Sequence, residues 1–284
     1  MPSPVGGKIA PLAAAAVRGA LPIDRATIAR WDARAERYDR LVRSEPIFAE
    51  LADRLIERLA VRPPGPVADL AAGTGFFADR LLAAVPGLVL HLCEPAPSML
   101  AIAVRRLGAR IHAYHAFAAE EVDRLARPVA AMSMNAALHL VDEGAFFAAA
   151  ARRLVPGGVV AANLWGHSFG ETADAPVLDW KGPVERALVA EGFAVPVWPP
   201  EPQYRRRTRA DYAAAADAAG LEVVVLEAYG RTLGASSAVA FRSIDPDFLA
   251  HLLPGARERV LARARALAEE TRTVYAVELV ARKR

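Results

Sequence analysis

Short apolar runs alternate with amphipathic helical stretches along residues 67–164, and this rhythm limits the fold more than any other feature. The apolar runs fall at 67–70, 88–93, 109–114, 129–134 and 159–164, with helical patterns near 76–84, 97–107, 118–126 and 143–154. Strands alternating with helices of that length predict βαβ units, hence a mostly parallel α/β sheet with helices on both faces. In such sheets ligands bind beyond the carboxyl ends of the strands, where the strand order reverses. With 284 residues, 54% of them hydrophobic, the chain is long and apolar enough for one large domain with an insertion. The same figure excludes a mostly disordered chain.

The flanks differ from this core. Residues 1–25 read as an arm. Residues 26–42 place Ile28, Trp31, Ala35, Tyr38 and Val42 on one helical face, and residues 46–61 do the same with Phe48, Leu51, Leu55, Ile56 and Leu59. Arg62-Pro63-Pro64-Gly65-Pro66 ends the second pattern. Residues 165–209 are rich in proline and hold three of the four tryptophans, which predicts a lid or binding insertion. Residues 210–219 then read as a helix, 221–228 as a strand, 245–253 and 256–270 as a helical pair, and 273–281 as a last strand. The expected organisation is an arm (1–25), helices plus core (26–164), a lid (165–209) and the remainder of the sheet with a helical insertion (210–284).

Charge nearly cancels, with 35 Lys and Arg against 32 Asp and Glu, so nothing here predicts nucleic-acid binding. Cys93 is the only cysteine, which excludes an intrachain disulfide and a cysteine-based zinc site. No run is long and apolar enough for a membrane span. Residues 9–17 have the length of a signal-peptide core, but Lys8 alone precedes them, so a cytoplasmic protein is expected.

The densest signal is Asp69-Leu70-Ala71-Ala72-Gly73-Thr74-Gly75-Phe76-Phe77, between the first strand and a helix. Glycines there permit unusual φ angles and a close approach of backbone to a ligand. Glu94, 21 residues after Gly73, ends the second strand, where a carboxylate can accept both hydroxyls of a ribose. Residues 73–78 also fit the dinucleotide pattern G-x-G-x-x-A. Asp69 argues against that reading, because its carboxylate suits a cationic ligand and repels a pyrophosphate.

Asp69-x-x-x-Gly73-x-Gly75 resembles the first motif of class I S-adenosylmethionine (SAM)-dependent methyltransferases. Glu94-Pro95-x-x-Ser98-Met99-Leu100, Leu154-Val155-Pro156-Gly157-Gly158 and Trp31-Asp32-x-x-Ala35-x-x-Tyr38-Asp39 resemble further parts of the small-molecule, quinone-biosynthesis-like branch. The resemblance covers 26–164 and, loosely, the last two strands. It implies a doubly wound, Rossmann-like sheet of seven strands with the last antiparallel, a helical cover and a lid. It also implies SAM as cofactor and S-adenosylhomocysteine as product. Ala71, Gly73 and Gly75 would line the methionine part of SAM, with Asp69 orienting the loop and Tyr38 closing over it. Glu94 and Pro95 would hold the ribose end, Met99 would pack on adenine, and Asn135 would lie near the sulfonium. The family's acid after the third strand is missing until Glu120, which leaves adenine to be held by packing, with Phe117 as the candidate contact, or by backbone.

Methyl transfer from a sulfonium needs an aligned acceptor more than a strong nucleophile. An oxygen acceptor also calls for a base, and His139, four residues past Asn135, is the candidate. Trp165, His167, Trp180, Trp198 and Tyr204 are candidate acceptor contacts, with a small core inside the insertion as the competing explanation. Arg205-Arg206-Arg207-Thr208-Arg209 offers either an anion grip or a solvated face. The expected activity is methylation of a small organic molecule, such as a secondary metabolite, by a monomer or homodimer. Three alternatives stay open: a SAM-binding enzyme that transfers no methyl group, an NAD(P)-dependent oxidoreductase, and an inactive partner subunit.

Overall fold

The computed structural model describes residues 25–165, 179–198 and 207–284. The predicted arm up to residue 24, together with His167 and Tyr204, lies outside the described residues.

Two helices lead into the sheet, α1 (Arg25–Ser44) and α2 (Pro46–Arg58). Pro46 opens α2 at a position where its missing N–H costs nothing. The core follows as β1 (Val67–Leu70), α3 (Phe76–Ala84), β2 (Leu90–Cys93), α4 (Pro97–Leu107), β3 (Ala113–His115), β4 (Val129–Met134), α5 (Glu143–Arg153) and β5 (Leu154–Trp165). After it come α6 (Lys181–Ala190), α7 (Arg209–Ala218), β6 (Leu221–Gly234), α8 (Ala235–Ser243), α9 (Pro254–Ala266) and β7 (Thr271–Lys283).

The sheet has seven strands in the order β3-β2-β1-β4-β5-β7-β6. The first five run parallel, and β7 lies antiparallel between β5 and β6. The order reverses beside β1: the chain moves outward to β2 and β3, then crosses back to β4. Central strands of such sheets are buried on both faces, and every residue of β1 and β4 is buried. One face packs Leu70, Met132, Phe146 and Phe147 under α5 and α7; the other packs Leu55, Leu81, Leu92 and Leu107 under α2, α3 and α4. Leu51 and Leu55 of α2 are fully buried, as is Leu59 just after it, each contributing about 1.5–3 kcal/mol to holding this segment on the sheet.

Charge fixes α2 as well. Glu278 of β7 is fully buried and takes hydrogen bonds from Arg54 and Arg58, while Arg54 also lies over the Tyr229 ring. Burial pushes the Glu278 carboxyl up, but the two arginines outweigh that and hold it below the usual carboxylate range.

Three expectations are corrected. Residues 245–253 form turns, because Leu249 takes a left-handed φ of 55° that breaks a helix. The stretch 118–126 holds only a 3-10 segment, Ala119–Arg124, interrupted at Glu121. Helix α8 follows directly on a strand that runs to Gly234, past its expected end. Among the described residues no helix is long and apolar enough to cross a membrane.

Candidate active site

The carboxyl ends of β1, β2 and β4 meet at the reversal of strand order, and each delivers one polar group. Asp69, in β1, is fully buried. Ser133 Oγ from β4 donates to its Oδ1 at 2.9 Å, and Oδ2 has no partner among the described residues. Burial pushes the Asp69 carboxyl up to about 8; the Ser133 hydrogen bond pulls it down and the nearby Glu94 charge raises it further. A buried acceptor without a donor costs about 1–3 kcal/mol, a cost that a ligand donor or cation would relieve.

Glu94 follows β2 and takes two backbone N–H groups, Gly73 N–H at 2.8 Å on one oxygen and Ala96 N–H at 2.8 Å on the other. Burial pushes its carboxyl up to about 7 against the pull of those bonds. The contact with Gly73 ties the end of β2 to the turn after β1. Gly73 and Gly75 both have positive φ, 56° and 75°, but for different reasons. A Cβ on Gly73 would meet only Tyr38 Cε1, at 3.6 Å, whereas one on Gly75 would stand 2.8 Å from Leu107 Cδ1 and 3.1 Å from Ala103 Cβ. Gly73 therefore borders open space, and Gly75 lets α3 start close against α4.

Helix α1 roofs this turn. Burial raises the Tyr38 hydroxyl above its ordinary range, and the nearby Glu94 charge adds to the rise. Arg106 of α4 donates to Thr74 O at 2.8 Å and to Asp39 of α1, so one guanidinium clamps the roof to the loop. The N–H of Ser98, in the first turn of α4, donates to Asp32 of α1.

Two connected recesses result. A cleft of about 720 Å³, its mouth included, runs past Trp31, Glu94, Met99, Glu120 and Leu140. A smaller one of about 350 Å³ is bounded by Phe48, Asp69, Thr74 and Phe76. Tyr38, Ala71, Gly73 and Asn135 line both.

Of the residues expected from sequence, Tyr38, Asp69, Ala71, Gly73, Glu94, Pro95, Met99 and Asn135 border one or both recesses. Gly75 is turned to α4 instead. Phe117 is buried in the core, its ring beside His115, and the wall expected from it is made by Ala118, Ala119 and Glu120. Glu120 takes the Asp142 N–H at 2.9 Å, and burial pushes its carboxyl up. His139 occupies a 3-10 turn, Leu138–Leu140, whose neighbours Ala137 and Leu140 line the cleft while His139 does not.

Trp165 packs edge-on to Phe48 and against Phe241. Trp180 and Trp198 pack with Phe248 in a separate core formed by α6, α8 and α9, away from both recesses. Arg207 is buried and paired through two nitrogens with Glu143, so it is neither a solvated face nor an open anion grip.

Sequence reasoning missed Ser133, Asn163 and Arg106. The first two left a trace: each is a single polar side chain inside an apolar strand run, where burial demands a partner. Asn163 meets that demand through Ala136 N–H, Leu51 O and Asn135 Oδ1. Arg106 looks like any helical surface arginine in the sequence.

Residues 67–158 match the family described as "Methyltransferase domain". None of the curated proteins matches the sequence. Among solved structures, the YcgJ protein from Bacillus subtilis is similar at 14% identity over 83% of this chain and 99% of that one, with a TM-score of 0.53. A provisionally assigned methyltransferase from Bacillus halodurans C-125 is similar at 13% identity over 82% and 98%, with a TM-score of 0.50. A chain of the complex between the Haloferax volcanii Trm112 methyltransferase activator and its provisionally assigned methyltransferase is similar at 18% identity over 89% and 96%, with a TM-score of 0.51. At these identities the likeness is one of fold. The segment that matches the methyltransferase-domain model contains the glycine turn and both flanking carboxylates, and it lies within the seven-stranded order whose β7 is antiparallel.

Proposed function

We propose that the protein moves a methyl group from SAM to a small organic acceptor. The observation that carries this reading is the pair of buried carboxyls flanking the glycine turn, one of them with an oxygen lacking any donor among the described residues. Such a site favours a cation over a diphosphate. SAM, when bound, supplies a methyl carbon already activated by positive sulfur.

The chain's own residues bind, orient and exclude water. Glu94 uses one lone pair on each oxygen for backbone N–H groups and keeps others for ribose hydroxyls. Asp69 Oδ2 is the acceptor available to the cationic end of the cofactor. Gly73, with no side chain, leaves room beneath Tyr38 for the methionine portion. Trp31 and Met99 supply apolar surface for the adenine, with Glu120 as an acceptor for its amino group. Tyr38 and the Arg106 clamp hold the roof down and keep water out, which strengthens every electrostatic contact beneath. Asn135, at the junction of the recesses, faces the reacting centre. His139 is the candidate base for an oxygen acceptor; for a carbon or nitrogen acceptor no base is needed.

Methyl-labelled SAM and a panel of phenols, amines, carboxylic acids and activated methylene compounds test the reaction. Label in an acceptor together with equimolar S-adenosylhomocysteine supports methyl transfer. Conversion of an added substrate with SAM unconsumed would refute it and indicate a non-methylating use of the cofactor.

A further inference from the structure

The buried polar chain behind Asn135 fixes more than that residue's position. Asn163 lies on β5 with no exposure to solvent. Its Oδ1 takes the Ala136 N–H, and its Nδ2 donates at 3.0 Å both to Leu51 O of α2 and to Asn135 Oδ1. Side-chain amides can be turned end for end, but backbone groups cannot. A backbone N–H requires an oxygen opposite it, so the atom facing Ala136 is Oδ1. A backbone carbonyl requires a donor, so the atom facing Leu51 is Nδ2. The Asn135 atom that meets this Nδ2 must then be its oxygen. The reverse arrangement would set two NH2 groups against each other in a dry site and leave both unsatisfied.

Asn135 is thereby left with its NH2 as the group available to the recesses, and that NH2 makes no hydrogen bond among the described residues. Ala136, next in the chain, holds a left-handed φ of 57°, a conformation a non-glycine residue keeps only under constraint, and the bond from its N–H to Asn163 is such a constraint. One buried side chain thus joins α2, the end of β4 and the middle of the sheet.

We propose that Asn163 is a positioning residue that presents the Asn135 NH2 as a donor at the methyl-transfer site, so that the acceptor class is one carrying a carbonyl or carboxylate oxygen beside the methylated atom. This rests on the methyltransferase reading for what occupies the recesses; the amide orientation itself does not. An amine with no such oxygen offers this donor only the lone pair it needs for attack on the methyl carbon, and its protonated form offers none. An acceptor with an sp2 oxygen gains a hydrogen bond that fixes its rotation about the reacting atom, which is the orientation an in-line displacement needs.

The test uses side-chain amide resonances of the 15N-labelled full chain. In ligand-free protein the Asn163 NH2 protons should exchange with solvent at least tenfold more slowly than those of Asn135. Equal, fast exchange at both would overturn the network without reference to any ligand. In protein saturated with S-adenosylhomocysteine, sodium benzoate or acetophenone should shift the Asn135 NH2 resonance, and benzylamine should not. Asn135→Asp keeps the shape and the oxygen facing Asn163 but replaces the donor, and, followed through the neighbouring Ala136 backbone amide resonance in both proteins, should reverse the preference toward benzylamine. Asn163→Asp, which cannot donate to Asn135, should abolish the benzoate shift while S-adenosylhomocysteine affinity stays within threefold. Benzylamine shifting the wild-type resonance, or Asn135→Asp leaving the preference unchanged, overturns the proposal. Failure of S-adenosylhomocysteine to bind at all overturns the reading of the site instead, and the exchange measurement keeps the two failures apart.

Discussion

Replacing each glycine of the turn with alanine separates what folds the loop from what serves a ligand. At Gly75 the new Cβ would lie 2.8 Å from Leu107 Cδ1, 3.1 Å from Ala103 Cβ and 3.3 Å from Ala103 Cα, at a φ of 75°. The leucine tip can swing away, but Ala103 belongs to the helix itself and cannot, so α3 and α4 must part. Overpacking of this kind costs about 1–3 kcal/mol and the left-handed φ about 1–2 kcal/mol, giving about 3 kcal/mol in sum. For a chain somewhat above 250 residues that lowers Tm by about 6 °C. At Gly73 the φ of 56° costs about 1 kcal/mol, or about 2 °C, because the nearest atom, Tyr38 Cε1, is at an ordinary 3.6 Å. The Gly73 methyl instead fills space shared by both recesses, so Gly73→Ala should weaken S-adenosylhomocysteine binding at least tenfold. Gly75→Ala, measured well below its Tm, should keep affinity within about threefold. Paired calorimetric scans and titrations read both quantities. A Gly75→Ala protein that melts with the wild type yet loses the ligand would refute this division of labour.

Glu94→Ala should weaken SAM binding by tenfold or more, the scale of a lost charge-assisted hydrogen bond, and unchanged titration affinity would remove Glu94 from the cofactor site. Glu278→Ala should cost about 3 kcal/mol in a denaturant titration, the lower end for a broken buried pair because Arg54 and Arg58 keep some contact with water; a loss under 1 kcal/mol would contradict the anchoring of α2. Asp69 and Glu94 hold their protons to about pH 8 and 7 when folded but only to their ordinary values of 3.8 and 4.5 when free of the fold, so the folded chain carries more protons in between. Their contribution to stability is full below about pH 4 and is lost as pH rises through 7 and 8. A cationic ligand prefers both carboxylates ionised, so SAM binding at pH 7 should release protons. Calorimetry in buffers of different ionisation enthalpy would contradict this by registering proton uptake.

The alternation of strands and helices, the glycine turn and Glu94 were legible in the sequence because each follows from short-range pattern. Central parallel strands read as apolar runs, and a turn at a strand end announces itself by composition. The polar groups supporting the site were harder to see. Ser133, Arg106 and Asn163 act across sequence separations of 64, 32 and 112 residues, and only the packed sheet brings their partners near. Trp180 and Trp198 show the opposite failure. Their size and proline-rich surroundings suit a binding pocket, yet α6 needs a partner for its own apolar face and finds it in α8 and α9. Gly75 carries the same lesson within the motif itself, since φ alone does not say whether a glycine makes room for a ligand or for a helix.

The central claim is that the two carboxylates around the turn receive an adenosyl sulfonium and not a dinucleotide, and isothermal titration of the purified chain addresses it directly. The account predicts saturable heat with SAM and with S-adenosylhomocysteine, and none with NAD or NADP. Saturation by NAD or NADP with no heat from SAM or its demethylated product would contradict it.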